Sequence, residues 1–255
     1  MWKNLLSDQN KLKINYNFFS NRSINEKMKW NNKYNYPKSQ RSIENGFRKY
    51  LFGDEKLPSV TTILSQTKSE EEKAALENWK KRVGYKEANR IKTEASTRGT
   101  SMHSYIEDYL RGRVNESFFE SNEQHKVMAK EIIEKGIKGK LDEIYGMEET
   151  LYYPEKYAGT ADLIGVYQGK TVICDFKQAN RPKKADYIQD YFLQLGAYTL
   201  AHDVVHGTKM KAGIILLCTK DILFQEFKIE GAELEMYQNL FLGRVKKFYE
   251  LNNIS

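Results

Sequence analysis

The chain has 255 residues, 40% of them apolar, and a formal net charge of +7, enough for one large domain or a domain with an arm. It holds no run of 18 apolar residues, which excludes a membrane-spanning helix of ordinary length. Its opening, MWKNLLSDQNKLK, lacks the apolar stretch of a secretory signal, and Cys174 and Cys218 form neither a CxxC pair nor a disulfide framework, so a reducing, cytoplasmic setting is expected.

The charge is uneven along the chain. Residues 1–50 hold 11 Lys and Arg against 3 Asp and Glu, a net of +8, which leaves 30 against 31, a net of −1, for residues 51–255. The same first stretch carries nine aromatics: Trp2, Tyr16, Phe18, Phe19, Trp30, Tyr34, Tyr36, Phe47 and Tyr50. The expected organisation is a basic, aromatic arm over 1–50 and a single domain over 51–255. Cations attract phosphates and aromatic faces stack on unpaired bases, a combination suited to single-stranded nucleic acid. The alternative is a solvated extension whose aromatics dock on the core.

After the arm, Ser59, Thr61 and Thr62 either contact a nucleic-acid backbone or cap a short helix around Ile63. SEEEKAALENWKKRVG has Ser69 and Glu72 at capping-box spacing and predicts a helix ending at Gly84. A second helix is expected over about Tyr85 to Ser96, a third from about Thr100 to Gly112, and a long one from about Ser121. The period then changes to two. IYGMEETLYY, TADLIGVY and KTVICDFKQ predict three strands in succession. A helix over about Lys184 to His206, two strands (KAGIILLCT and LFQEFKI) and a helix from about Ala232 to Leu251 complete the chain. That order predicts an α/β (α+β) architecture, a mixed central sheet flanked by helices.

The hairpin GTADLIGVYQGKTVICDFK places two carboxylates in apolar surroundings. Antiparallel pairs keep a constant sum of residue numbers. With a turn at Gln168-Gly169, Tyr167 faces Lys170 and the sum is 337, which sets Asp162 opposite Asp175. Like charges so placed destabilise a hairpin. Lys177, two residues on, shares the face of Asp175. An Asp/Glu-x-Lys triplet alone is uninformative, since the sequence holds four, at Asp54, Glu71, Asp175 and Glu226. Only at Asp175 does the triplet lie in an apolar strand with a second aspartate across a hairpin. One reading is a surface pair neutralised by Lys177. The other is a site for a hard divalent cation, Mg²⁺ or Mn²⁺, beside a lysine that holds a water, a constellation for phosphodiester hydrolysis. His202 and His206 have HxxxH spacing, which can hold zinc, but no third ligand is apparent, and His206 before Gly207 also suits a helix C-terminus.

Six pieces in order resemble the PD-(D/E)XK nuclease superfamily in its RecB-like branch, nearest to phage exonucleases and the mitochondrial genome maintenance exonuclease. They are LPSVTTIL (57–64), Trp79 with Arg82 and Gly84, RGTSMHSYIE (98–107), AGTADLI (158–164), ICDFK (173–177) and QLGAY (194–198). The resemblance covers about four-fifths of the chain and leaves the first 45 or so residues unmatched. It implies a restriction-endonuclease-like core in which Asp162, Asp175 and the backbone carbonyl of Phe176 hold a metal with His103, and Lys177 orients the attacking water. It places Gln194 and Tyr198 on a helix beside the site, in contact with the lysine or DNA, although core packing also accounts for Tyr198. Glu107 shares the helical face of His103, either as a further ligand or in a salt bridge. Arg98 is placed to grip a phosphate. Gln178 departs from the Thr or Ser that often follows the lysine. Some RecB-like nucleases carry an iron–sulfur cluster, which two cysteines cannot hold. The expected activity is a Mg²⁺- or Mn²⁺-dependent deoxyribonuclease, an exonuclease on single-stranded DNA or DNA ends, in the bacterial cytoplasm if phage-encoded. A structure-specific endonuclease, a noncatalytic DNA-binding protein on the same fold, and RNA processing stay open.

Overall fold

The computed structural model describes residues 28–44, 46–114 and 122–253. Trp2, Tyr16, Phe18, Phe19 and Ser121 lie outside these.

Three short strands, β1 (Gln40–Glu44), β2 (Phe47–Phe52) and β3 (Glu55–Pro58), form an antiparallel sheet in the order β1-β2-β3. The sequence reading did not anticipate this sheet, and its boundary at residue 50 falls inside β2. A signal was present in Asn45-Gly46, a dipeptide favoured in two-residue hairpin turns; Gly46 has φ +80°. The sheet is fixed to the body through Tyr50, which is buried, packs with Leu57 and Ala158, and meets the Thr160 hydroxyl at 3.0 Å. Ahead of it, Trp30 bridges to Ile144 and donates from its indole to the Leu110 carbonyl. These aromatics therefore dock on the core.

Helix α1 (Val60–Gln66) begins at Ser59, whose hydroxyl accepts from the Thr62 amide. Helix α2 (Glu70–Val83) has the predicted capping box between Ser69 and Glu72 and stops before Gly84. The two helices expected next are one, α3 (Tyr85–Leu110), of 26 residues. The helix continues through Gly99, which lies beside Gln178, and the neighbouring Arg98 is bound across to Gln178 on a strand of the central sheet. Helix α4 (Gln124–Ile132) runs into a π-helical turn, Ile133–Ile137.

The central sheet consists of β4 (Leu141–Tyr153), β5 (Tyr157–Tyr167), β6 (Lys170–Ala179), β7 (Ala212–Thr219) and β8 (Phe224–Glu230), in that spatial order. Short turns make antiparallel pairs of all but β6 and β7. Those two are parallel because helix α5 (Gln189–His206) crosses between them. The helix expected from Lys184 is interrupted: Ala185–Tyr187 is 3₁₀, and α5 starts after Ile188. Helix α6 (Ala232–Leu251) ends the described chain as predicted.

Alternation along β7 sorts the core into two layers. Ile215 and Leu217 pack with residues of α1, α5 and α6; Ile214, Leu216 and Cys218 pack with residues of α3 and α4. Both faces of the sheet are covered, which explains the apolar runs without clean alternation. β4 follows β5 closely at two register shifts. Beside the first, a Cβ on Gly165 would lie 2.1 Å from the Glu143 carbonyl oxygen, so only glycine fits there.

Candidate active site

The predicted register of the β5–β6 hairpin is observed from Tyr167↔Lys170 to Leu163↔Cys174, each pair summing to 337. The ladder then stops, one step short of the aspartates. β5 continues against β4, and β6 continues against β7 as far as Ala179↔Thr219. The sheet forks where the carboxylates stand. At the fork the Phe176 amide donates to Asp162 Oδ2 at 2.7 Å, so a side chain takes the place of a strand partner. In an extended strand the N–H and C=O of one residue leave toward the same edge, and the Phe176 carbonyl therefore also faces the fork.

Asp175 is 2% exposed; its Oδ1 has no hydrogen-bond partner among the described residues, and its Oδ2 is met by the Lys177 ammonium as an ion pair. Burial raises the Asp175 pKa, Lys177 opposes that rise, and the Asp162 charge adds to it. Burial alone would discharge Lys177; the Asp175 and Asp162 carboxylates outweigh it and hold the lysine above its ordinary pKa. The Lys177 ammonium also sits 5.1 Å from the ring centroid of Tyr191 on α5.

Helix α3 brings His103 to the other side of the fork. Its Nδ1 is 3.5 Å from Asp162 Oδ2, and its ring stands edge-on to Phe176. A further carboxylate, which the sequence reading missed, comes from β4. Potential ligand atoms of His103, Glu148 and Asp162 all lie within 4.8 Å of one another. Glu148 has φ +54°, a left-handed conformation uncommon outside glycine, two residues beyond the second register shift of β4. Crowding away from water and then the Asp162 charge push its carboxyl up to about 7, although the residue keeps an exposed edge.

These donors fit a hard divalent cation. Three carboxylates stand against one lysine, one oxygen of the buried Asp175 lacks a partner among the described residues, and oxygen with one imidazole suits Mg²⁺ or Mn²⁺. Glu107 is not among the clustered ligand atoms; it pairs with Arg111 at 2.7 Å, the salt-bridge alternative.

The remaining expected residues fall into two groups. Arg98 lies beside the site, where its guanidinium donates to Gln178 Oε1 and Asn180 Oδ1 while Gln178 Nε2 donates to the Ala95 carbonyl. Gln178 thus ties β6 to α3 at the position where Thr or Ser often stands. Gln194 Nε2 donates to the buried Tyr198 hydroxyl at 3.1 Å, and Tyr198 packs where a Cβ on Gly159 would sit. Ser59 and Thr62 are buried and occupied by the α1 cap and the Arg48 carbonyl; Thr61 alone of the three is exposed.

The HxxxH pair is taken up by the N-terminal segment. His202 Nδ1 meets the Thr208 hydroxyl at 2.7 Å, its Nε2 faces the Tyr36 hydroxyl at 3.3 Å, and the Tyr34 and Tyr36 rings pack on both histidines. The pair is a packing element with no third metal ligand among the described residues.

The forked mixed sheet thus brings the buried Asp175, the less buried Asp162 and Glu148, a histidine and a charged lysine to one place, and three of these residues form a group able to hold a metal ion. No protein-family model matches the chain. It is similar to mitochondrial genome maintenance exonuclease 1 of Xenopus tropicalis, with 30% identity over 183 residues, covering 65% of this chain and 49% of that protein. The human protein of the same name is 28% identical over 215 residues (76% and 58%), and the mouse protein 30% over 179 residues (65% and 50%). The chain spans about half the length of these curated relatives.

Proposed function

We propose that the chain is a metal-dependent DNA nuclease of the RecB-like PD-(D/E)XK type, an exonuclease acting on single-stranded DNA or DNA ends. The observation that carries this reading is the fork that gathers the ligand atoms of Asp162, His103 and Glu148 beside Asp175, a buried carboxylate whose one named partner is the Lys177 ammonium. Similarity to proteins named as exonucleases supports the same reading.

Asp162, His103 and Glu148, whose ligand atoms cluster, would hold Mg²⁺ or Mn²⁺, completed by Asp175 and the Phe176 carbonyl at the fork. Such an ion would polarise the scissile phosphate and lower the pKa of a bound water. Lys177, kept charged by its carboxylates, orients the attacking water and offsets charge that develops on the phosphate. Tyr191 limits the directions its ammonium can take. Among the described residues Arg98 is bound by neutral amide oxygens alone, so its charge would be available to a phosphate of the strand. α2 and the first half of α3 bury few residues and would guide the strand toward the site.

The test compares wild type with Asp175→Ala on end-labelled single- and double-stranded DNA, with Mg²⁺ and with a chelator. Shortening of linear but not circular DNA by wild type alone, only with Mg²⁺, is the expected result. Equal cutting by both proteins would assign the activity elsewhere.

A further inference from the structure

The two faces of the β1–β2 hairpin treat their cations differently. Pairs in the ladder share a face, so Arg41 with Tyr50 and Ile43 with Arg48 lie on one side, while Ser42 with Lys49 and Glu44 with Phe47 lie on the other. On the second face the charges are neutralised at home: Lys49 and Lys56 both pair with Glu44. On the first face Arg41 and Arg48 are exposed, and neither forms an ion pair among the described residues. Between them in sequence stands Ile43, at 75% exposure the most exposed of the large aliphatic residues on the hairpin.

That first face is the one turned toward the candidate active site. Its inner end is Tyr50, held to Thr160 two residues before Asp162. Next outward is Arg41, close enough to Glu148 for their charges to act on each other. Arg48 and Ile43 follow. The hairpin's position is fixed, because the Arg48 carbonyl accepts from the Ser59 amide and the Thr62 hydroxyl, and Ser39 meets Thr150 on β4 at 3.1 Å. The result is a shelf with two guanidinium groups that form no ion pair among the described residues and an apolar side chain, next to the candidate active site. A protein that left these charges unpaired only for solubility would have no reason to pair those on the opposite face.

We propose that the Arg41–Ile43–Arg48 face of this hairpin is a rest for single-stranded nucleic acid, with the two arginines on successive phosphates and Ile43 against a base. This deepens the nuclease reading and rests on it. The geometry commits to an unpaired strand, since a base must turn its flat face to Ile43 while its phosphates reach the arginines.

The experiment measures binding of a fluorescent single-stranded oligonucleotide to the full chain by anisotropy, in chelator so that nothing is cut, from about 50 to 200 mM salt. Arg41→Ala/Arg48→Ala should weaken binding and lower the slope of log K against log salt by about 1.4, two phosphate contacts at about 0.7 each. Lys49→Ala/Lys56→Ala, on the opposite face, should leave the slope unchanged, and Ile43→Asn should lower affinity at an unchanged slope. Circular dichroism melts verify that each variant is folded. An unchanged slope in the arginine variant, or an equal fall in the lysine variant, overturns the proposal. Mg²⁺-dependent cutting is scored separately: a slope unaffected by the arginines with cutting intact removes only the shelf, and a slope effect without cutting removes only the nuclease reading.

Discussion

Asp175 is held where an ionised carboxylate is costly, since isolated buried charges are expensive and even paired ones lose several kcal/mol of hydration. Lys177 offsets part of that cost, and on the function proposed above a bound cation would offset more of it. Asp175→Asn is therefore expected to abolish Mn²⁺ binding, read by titration calorimetry, while the protein remains folded. Lys177→Ala should lower kcat on order of 10²–10³-fold with little change in Mn²⁺ affinity, as for loss of a group that meets charge in the transition state. Equal loss of Mn²⁺ affinity would instead make Lys177 a structural partner of the carboxylates. A second residue prediction concerns pH. Burial, then His206 and Lys33, depress the His202 pKa to about 4. The folded state prefers the neutral ring, so its contribution is complete above about 6.5 and is lost as pH falls toward 4. Thermal melts should show stability falling by on the order of 2 kcal/mol over that window, and less in His202→Gln; identical profiles would exclude His202 as the cause. The meeting of Asp175 and Lys177 was legible in the sequence because a period of two puts them on one face; the hairpin sum held only as far as Leu163↔Cys174, and the sheet forks before the two aspartates pair. Glu148 was not legible. It reaches the site through a left-handed residue beyond a register shift, and neither feature follows from alternation.

At the scale of elements, the five strands of the central sheet and helices α2, α4 and α6 could be read from periodicity and caps, and the boundaries fell within a few residues. The small sheet could not be read from alternation, because its strands are short and mostly exposed and carry charge on both faces. The break at Ile188 and the continuity at Gly99 depend on what packs against them rather than on local propensity. Close packing also sets the element-level prediction. Gly165→Ala would press a methyl against the Glu143 carbonyl, a backbone atom that cannot rotate away. It should destabilise the fold by about 1–3 kcal/mol or more, measured by urea unfolding. Gly169→Ala, at a turn with φ +75° but open space, should cost about 1 kcal/mol. A milder effect at Gly165 than at Gly169 would contradict the packing account.

For the whole molecule, the excess charge of the first 50 residues divides between a stretch outside the described residues and a segment fastened to the core. Trp30, Tyr34, Tyr36 and Tyr50 each have contacts with the central sheet or α5. Deleting residues 1–27 should leave the melting temperature nearly unchanged and reduce only the salt dependence of DNA binding. Deletion through residue 45 should lower the melting temperature by several degrees, since it removes β1 and exposes His202 and Ile144. Equal melting temperatures would mean that the docked segment contributes nothing to stability.

The continuity of α3 has a mechanical consequence. One helix of 26 residues holds Tyr85 at its unburied end and His103 at the fork, about 27 Å apart at 1.5 Å per residue. Two helices with a joint at Gly99 would absorb a push on the outer end. A single rod, pinned midway by Arg98 and Gln178, acts instead as a lever with its fulcrum near the site. On the function proposed above, a strand pressing on the outer end of α3 would bear on His103 and Asp162 through one continuous helix.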